Sequence, residues 1–179
     1  KIKGLLFVSL DANEHFASFS RTCPRCSQRQ VEVTGPDGGK VKVIQFYHRY
    51  VFAHLSGPKL HIVLDIEPIH PGEEECAAAL RLLGRLRRIY GPRFFDGISA
   101  DAWYAKGPFL RALDKLGWLW VVVLKRQDME IYGEALQLSR GQKPCAAFRD
   151  EQRDRQVQLW EVQDLRFSDG YTKNQPVIV

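Results

Sequence analysis

A chain of 179 residues is long enough to bury one good core, so one domain with at most a small appendage is expected. Its 45% hydrophobic and 11% aromatic content argues against disorder, and no apolar run approaches the roughly 20 residues needed to cross a bilayer. The net charge of +5 permits a polyanionic partner without requiring one. Four cysteines without an obvious disulfide pattern favour a reducing, cytoplasmic setting.

The first predicted strand is residues 5–11, LLFVSLD, an apolar run that ends on Asp11. Residues 12–29 are polar and are predicted to be irregular. They contain a CxxC motif, Cys23 and Cys26, which supplies two of the four ligands that zinc usually needs. Either His15 or His48 could complete a site, although the spacing requires neither. Two free thiols in a turn are an equally acceptable interpretation, with the histidines then structural.

Three further strand-like runs follow. Residues 30–34 and 41–47 flank the turn cluster GPDGG at 35–39, which predicts a hairpin. Residues 50–55 are predicted to continue the second of these strands past a bend, and 60–66 form the next strand. Because strands linked by hairpins are antiparallel, this half of the sheet should be a meander.

Residues 73–90 have the pattern of an amphipathic helix. One face is apolar, and the other carries Arg81, Arg85 and Arg88. Acidic residues at the start and basic residues at the end also suit the helix dipole. The arginine stripe is therefore either a solvated face or a contact surface for nucleic acid.

The next stretch carries a second aspartate to a strand end. Residues 94–100 lead as a buried strand to Asp101, and a helix is predicted over 108–116. The run WLWVVVL at 118–124 is continuously apolar, which predicts a central strand covered on both faces. Strand, helix and strand in this order predict a parallel right-handed crossover.

Beyond residue 125 the chain changes character. Residues 128–138 are predicted to be helical, and 139–154 are polar. Strands are predicted at 157–162 and 176–179, separated by a turn around 168–170. We interpret 139–179 as the start of a mostly β insertion, after a core of residues 1–138.

Asp11 and Asp101 end the two strands that the same apolar pattern predicts. Two carboxylates brought to one sheet edge are the core of a two-metal site for phosphodiester chemistry. Either aspartate alone could equally be a turn or cap residue. Asp65 and Glu67 share one strand face, so a salt bridge or surface position is expected for them. Glu67 and the glutamates of residues 73–75 are nonetheless rival metal ligands.

Three antiparallel strands, a helix, a strand, a helix and a strand form the ribonuclease H-like α/β arrangement. Several stretches also resemble the DDE transposases of bacterial insertion sequences, the cut-and-paste enzymes with a β insertion: LDANEHFASFSRTCPRC, YHRYVFAHL, VLDIEPIHPGEEE, ALRLLGRL and ISADAWYAKGPFLRAL. The resemblance implies that Asp11 and Asp101 are the first two acidic residues of the catalytic triad. The third, a glutamate after the β insertion, has no counterpart here, so we expect a fragment that lacks full activity.

The same resemblance implies cofactors and partners. Two Mg²⁺ or Mn²⁺ ions would serve DNA strand cleavage and transfer at transposon ends and in target DNA. A homodimer in a synaptic complex is the expected assembly. Arg81, Arg85 and Arg88 would hold the DNA backbone, and Trp160 would either stack on a displaced base or simply pack.

Three other functions compete with this interpretation. The strongest is a non-catalytic transposase remnant that still binds DNA or a partner. A nucleotide-binding enzyme is disfavoured because no glycine-rich phosphate loop follows the first strand. A zinc-ribbon DNA-binding protein would need a second pair of ligands.

Overall fold

The computed structural model describes residues 4–57, 60–124, 130–162, 165 and 177–178. Three α-helices are assigned in this part of the chain: α1 Glu75–Tyr90, α2 Gly107–Leu116 and α3 Glu130–Ser139. A short 3₁₀ turn spans Ala102–Tyr104. The strands are β1 Phe7–Ser18, β2 Ser27–Thr34, β3 Lys40–Gly57, β4 Leu60–Ile69, β5 Gly97–Ala100, β6 Leu119–Val122, β7 Ala146–Asp150, β8 Arg155–Leu159, β9 Glu161–Val162 and β10 Val177–Ile178.

The chain forms two compact units. The first unit consists of Lys1–Ala100 and Leu113–Val121, and the second of Asp101–Ala112 and Val122–Val179. The predicted division into a core and an insertion at residue 138 stays a prediction.

The main sheet is mixed, as the sequence predicts. Its strand order is β2-β3-β1-β5-β6, and β4 also pairs with β3. β3 is antiparallel to β1, β2 and β4, whereas β1 is parallel to β5. The protein is therefore an α/β protein in which an antiparallel half and a parallel pair meet at β1.

The predicted hairpin is confirmed, with β2 and β3 as its strands. Their register runs from Thr34 opposite Lys40 to Ser27 opposite Tyr47. In the loop, the Gly35 amide donates to the Gly39 carbonyl at 2.8 Å. Gly38 has φ +79°, a conformation in which glycine avoids the Cβ clash of other residues. β3 then continues without a break to Gly57, so the bend predicted before residue 50 does not end it.

β1 is longer than predicted, because it extends seven residues beyond Asp11 to Ser18. Asp11 lies opposite Phe52 within the β1–β3 pair, not at the end of the strand. The prediction that residues 12–29 are irregular is therefore wrong at both of its ends. The polar sequence remains in a strand because β3 supplies backbone partners, while half-exposed positions accept polar side chains.

α1 packs on β4 and β3 through the predicted apolar face. That face buries Cys76, Ala78, Ala79, Leu82, Leu83 and Leu86. Each buried leucine stabilises the fold by about 1.5–3 kcal/mol relative to an exposed one. Ile89 and Tyr90, the last two residues of the predicted helix, are exposed. The helix ends at Gly91, whose φ is +87° and whose amide donates to the Arg87 carbonyl.

β5 lies between β1 and β6 where the strands approach closely at Gly97. A Cβ atom at Gly97 would lie 2.6 Å from the Leu119 carbonyl oxygen and 2.6 Å from Cε1 of Phe7. Glycine is therefore needed at this position because any side chain would collide with neighbouring strands.

β6 occupies the end of the strand order, so the prediction of a central strand covered on both faces is wrong. Leu119 and Val121 point to one face and are 50% and 52% exposed. Trp118, just before the strand, is buried and its ring centroid lies 4.6 Å from that of Phe95. A continuously apolar run does not distinguish a central strand from one whose second face is open.

The second unit contains α3 and short strands. Ile131, Ala135, Val162 and Leu165 form its small buried cluster. β7 and β8 form an antiparallel hairpin. β7 lies in the stretch 139–154 that was predicted only to be polar, whereas β8 overlaps the strand predicted at 157–162. β9 pairs with β10, in agreement with strands predicted near both positions. The turn predicted around residues 168–170 lies outside the described residues.

Candidate functional site

The two predicted catalytic aspartates follow paired residues of neighbouring strands. β1 and β5 are parallel, and Leu10 lies opposite Ala100 within the first unit. Asp11 is the next residue after Leu10 and has an exposed side chain. Asp101 is the next residue after Ala100 and is the first residue of the second unit.

Asp101 has a local structural role. Its Oδ1 atom accepts a hydrogen bond from the Trp103 amide at 2.9 Å and so caps the 3₁₀ turn. The cap interpretation that the sequence left open is thus confirmed. A metal-binding role for the same carboxylate stays a prediction, because a carboxylate offers two oxygens and about four lone-pair directions.

The donor chemistry of the two aspartates suits magnesium, which prefers carboxylate and water oxygens and is commonly held by one or two carboxylates. Neither Asp11 nor Asp101 belongs to a group of three or more metal-ligating side chains among the described residues. A magnesium site that includes both aspartates therefore stays a prediction.

A different group of ligands does converge. Cys23, Cys26 and His48 place one ligand atom each within 4.8 Å of one another, and it is the one such group in the described part of the chain. The two Sγ atoms are 3.5 Å apart, and each lies 3.4 Å from Nε2 of His48. Cys23 is exposed, whereas Cys26 and His48 are half-buried.

The turn that carries the cysteines directs backbone N–H groups at sulfur. The Cys23 amide donates to the Cys26 Sγ at 3.1 Å, and the Arg25 amide donates to the Cys23 Sγ at 3.4 Å. The hydrogen bond from the Arg25 N–H lowers the pKa of the Cys23 thiol from its ordinary value most, and the side-chain hydrogen bond with Cys26 lowers it next. Both bonds favour the thiolate, which is the form that binds metals.

His48 reaches this group through strand pairing. The β2–β3 register ends at Ser27 opposite Tyr47, and one further step sets Cys26 opposite His48. His15 lies opposite His48 on β1, but its ring centroid is 5.5 Å from that of Phe52 and its nitrogens are not in the group. The sequence left His15 and His48 open as third ligands; extending the hairpin register from its turn would have selected His48.

A second polar cluster joins β4 to α1. Glu67 is only 6% exposed, and it accepts hydrogen bonds from Nε of Arg81 at 2.9 Å and from Arg85. Asp65 accepts from Nε of Arg85 at 2.6 Å. Glu73 also pairs with Arg81. The predicted salt bridging of Asp65 and Glu67 is confirmed, and the buried Glu67 is engaged with two guanidinium groups.

The pKa values of two carboxyls in this cluster respond to the arginines. Burial raises the pKa of Asp65, but the bonds from Arg85 and from the Ile66 amide outweigh it, so the net shift is downward. The bond from Arg81 lowers the pKa of Glu73 against a smaller effect of burial. Both carboxylates are thus stabilised in their charged form.

The predicted DNA-binding side chains fall into different environments. Arg81 and Arg85 are paired with carboxylates, so part of their charge is already compensated. Arg88 is exposed on the same helix. Trp160 packs against the small cluster of the second unit and donates from Nε1 to the Gln142 carbonyl at 3.1 Å. A role in DNA binding stays a prediction for all four.

Comparison of the chain with protein-family models, with curated proteins and with solved structures finds no match. Across the described residues, every helix is too short or too polar to span a bilayer.

Proposed function

We propose that this chain contains the ribonuclease H-like catalytic core of a DDE transposase, which cleaves and joins DNA strands with divalent cations. One observation carries the proposal. β1 and β5 are adjacent and parallel, Leu10 lies opposite Ala100, and an aspartate follows each of these residues in the chain.

The order of the elements supports the proposal. β1 and β4 each pair antiparallel with β3, these three strands precede α1, and β5, α2 and β6 follow. This is the succession on which the ribonuclease H-like interpretation rests. β2 is an additional strand that pairs with β3, and the CxxC motif immediately precedes it.

In the proposed reaction, Asp11 and Asp101 would hold the cations by their carboxylate oxygens. Bound Mg²⁺ would supply activation of a water or a DNA 3′-hydroxyl and stabilisation of the oxygen that leaves phosphorus. The Trp103 amide orients the Asp101 carboxylate by occupying one direction of Oδ1. The third acidic residue expected from the transposase resemblance is not among the ligand groups of the described residues.

DNA is the proposed substrate and partner. The net charge of +5 favours association with a polyanion, and binding through lysine and arginine would weaken as salt rises. Arg88 is an exposed member of the predicted arginine stripe. We propose transposon ends and target DNA as the bound sequences and a homodimer as the assembly.

Iron-mediated backbone cleavage tests the metal site in the chain as it stands. Fe²⁺ with ascorbate and peroxide generates radicals at a bound ion, and the fragment masses report where the ion lies. We expect fragments ending near Asp11 and Asp101, suppressed by excess Mg²⁺ and lost in the Asp11→Asn/Asp101→Asn variant. Glu32→Gln, an exposed change on β2, is the matched control and should cleave as the wild type does.

Two outcomes would contradict the proposal. Unchanged fragments in the double variant would remove the aspartates from metal binding. DNA binding without any Mg²⁺-sensitive cleavage near these residues would favour the non-catalytic remnant. Fragments near residues 23–26 and 48 would report iron at the thiolate group and are distinguished by mass.

A further inference from the structure

We propose that Cys23, Cys26 and His48 form a Zn²⁺ site with two thiolate ligands, one imidazole ligand and a fourth position open to water. The site is formed by β3 and by the segment that joins β1 to β2. It does not depend on the proposed transposase activity. A bound ion would hold the segment before β2 against β3.

The spacing of the three ligand atoms matches a tetrahedral zinc ion. With Zn–S of about 2.3 Å and Zn–N of about 2.0–2.1 Å, tetrahedral angles require about 3.8 Å between sulfurs and about 3.6 Å between sulfur and nitrogen. The structure has 3.5 Å between Cys23 Sγ and Cys26 Sγ. Both sulfur-to-nitrogen distances, to Nε2 of His48, are 3.4 Å. A shift of a few tenths of an ångström would admit the ion.

The backbone around the cysteines is arranged for thiolates. Besides the amides of Cys23 and Arg25 that point at sulfur, the Cys26 amide donates to the Cys23 carbonyl at 3.1 Å and closes the turn. The turn brings both sulfurs to one side, where the imidazole of His48 meets them from β3. The ligands come from two segments, so a bound ion would cross-link them.

The ligand types select the metal. Thiolate and imidazole suit zinc, whereas magnesium and calcium take oxygen ligands. No fourth His, Cys, Asp or Glu atom joins the group within the described ranges. With Cys23 exposed, water can reach the remaining tetrahedral position.

A disulfide is the main chemical alternative, because Cys23 and Cys26 are both accessible to oxidant. A disulfide would require the sulfurs at about 2.05 Å, and both cysteines are free thiols in the structure. The His48 imidazole distinguishes a zinc site from a disulfide, because a disulfide leaves Nε2 of His48 without a role as a ligand.

Cobalt substitution tests the site on the reduced, chelator-treated chain. We expect one equivalent of Co²⁺ to give thiolate-to-metal charge transfer and the intense visible bands of tetrahedral cobalt, both bleached by Zn²⁺. Cys26→Ser should reduce the charge transfer per bound cobalt and weaken binding by about 100-fold or more. His48→Gln should keep the charge transfer, shift the visible bands and also weaken binding.

Matched controls use similar residues outside the group. Cys145→Ser removes another exposed cysteine, and His15→Gln removes the histidine opposite His48. Both variants should bind cobalt as the wild type does. A circular dichroism spectrum of each variant shows whether it has folded.

Alkylation provides a second measurement of zinc binding, on the wild-type chain. Zn²⁺ should protect Cys23 and Cys26 from iodoacetamide while Cys145 remains reactive.

Three results would overturn the proposal. These are a wild-type chain without a tetrahedral cobalt spectrum, a Cys23→Ser/Cys26→Ser variant with an unchanged one, and equal alkylation of the cysteines with and without zinc. Two observations together would assign the pair to redox chemistry instead. The oxidised chain would show a mass loss of two hydrogens, which reports a disulfide between Cys23 and Cys26, and the reduced chain would bind no metal.

Discussion

Nε2 of His48 lies 3.4 Å from Sγ of Cys26, although 22 residues separate the two along the chain. The GPDGG turn accounts for this proximity, because it fixes the register in which β2 folds back on β3. Metal binding by this pair and Cys23 should therefore be linked to the stability of the hairpin.

Zinc should raise the thermal unfolding midpoint of the chain. A ligand at 100 times its Kd stabilises the folded state by about 2.7 kcal/mol if it binds only that state. For a chain of this size, each kcal/mol raises the midpoint by about 2–4 °C. Differential scanning calorimetry with zinc or with a chelator measures the effect. An equal shift in Cys23→Ser/Cys26→Ser would place the ion elsewhere.

Two substitutions at Asp101 should separate its structural role from its proposed catalytic one. Asn can still accept the Trp103 N–H, so Asp101→Asn should unfold in urea almost as the wild type does. Asp101→Ala loses the cap and should be destabilised by about 0.5–2 kcal/mol. Both should abolish Mg²⁺-dependent nicking of plasmid DNA by the full-length protein while DNA binding changes little. Cleavage by Asp101→Asn at the wild-type rate would remove this residue from the mechanism.

Arg81 and Arg88 should respond differently to replacement. Arg81→Ala removes one partner of the buried Glu67, but Arg81 is 40% exposed and Arg85 still bonds to Glu67, so a loss of about 1–3 kcal/mol is expected. Arg88→Ala should leave stability within about 0.5 kcal/mol and weaken DNA binding, with the salt slope reduced by about 1. Fluorescence anisotropy at several salt concentrations and urea unfolding test the pair. The reverse pattern would make Arg81 the DNA contact.

The β4–α1 cluster should make the protein sensitive to acid. The folded pKa values of Asp65 and Glu73 lie below their ordinary values of 3.8 and 4.5. The unfolded chain therefore binds more protons in this range, and stability falls as pH drops below about 4.5 through the folded values. Urea unfolding from pH 7 to pH 3 should show this loss, and Glu73→Gln should show less of it. An identical acid limb in Glu73→Gln would exclude this carboxyl as a cause.

Gly97 should tolerate no side chain. A Cβ atom there would meet the Leu119 carbonyl and the Phe7 ring, so Gly97→Ala should destabilise the chain by about 1–3 kcal/mol. Gly84→Ala on α1 is the control, since no atom lies within 4 Å of its Cβ position and helix propensity favours alanine by about 1 kcal/mol. Chemical denaturation of both variants should therefore give shifts of opposite sign.

Local signals in the sequence account for much of the fold. The turn cluster before Lys40 predicted the hairpin, and the spacing of Leu82, Leu83 and Leu86 predicted α1. α2 ends at Leu116, the last residue of the predicted helix, and Gly117 follows it with φ +75°. Each of these features depends on residues within a few positions of one another, and such short-range preferences can be read directly from the chain.

The incorrect predictions concern features that depend on contacts with residues far away in the chain. β1 continues through polar residues because β3 lies beside it, and the place of β6 at the end of the strand order depends on pairing between distant segments. A salt bridge was expected for Glu67, but its partners Arg81 and Arg85 are identified only once the helix is docked on β4. For the metal group, the cysteines were evident from their motif, but His48 required the strand register.

β3 runs as one strand from the tip of the hairpin to the middle of the main sheet. Its first half pairs with β2, and its second half lies between β1 and β4. The hairpin and the interior of the first unit therefore share the backbone of one strand. Amide hydrogen exchange at Val51 and Ala53 should consequently become slower when a cation binds near Cys26, although no proposed ligand atom belongs to those residues.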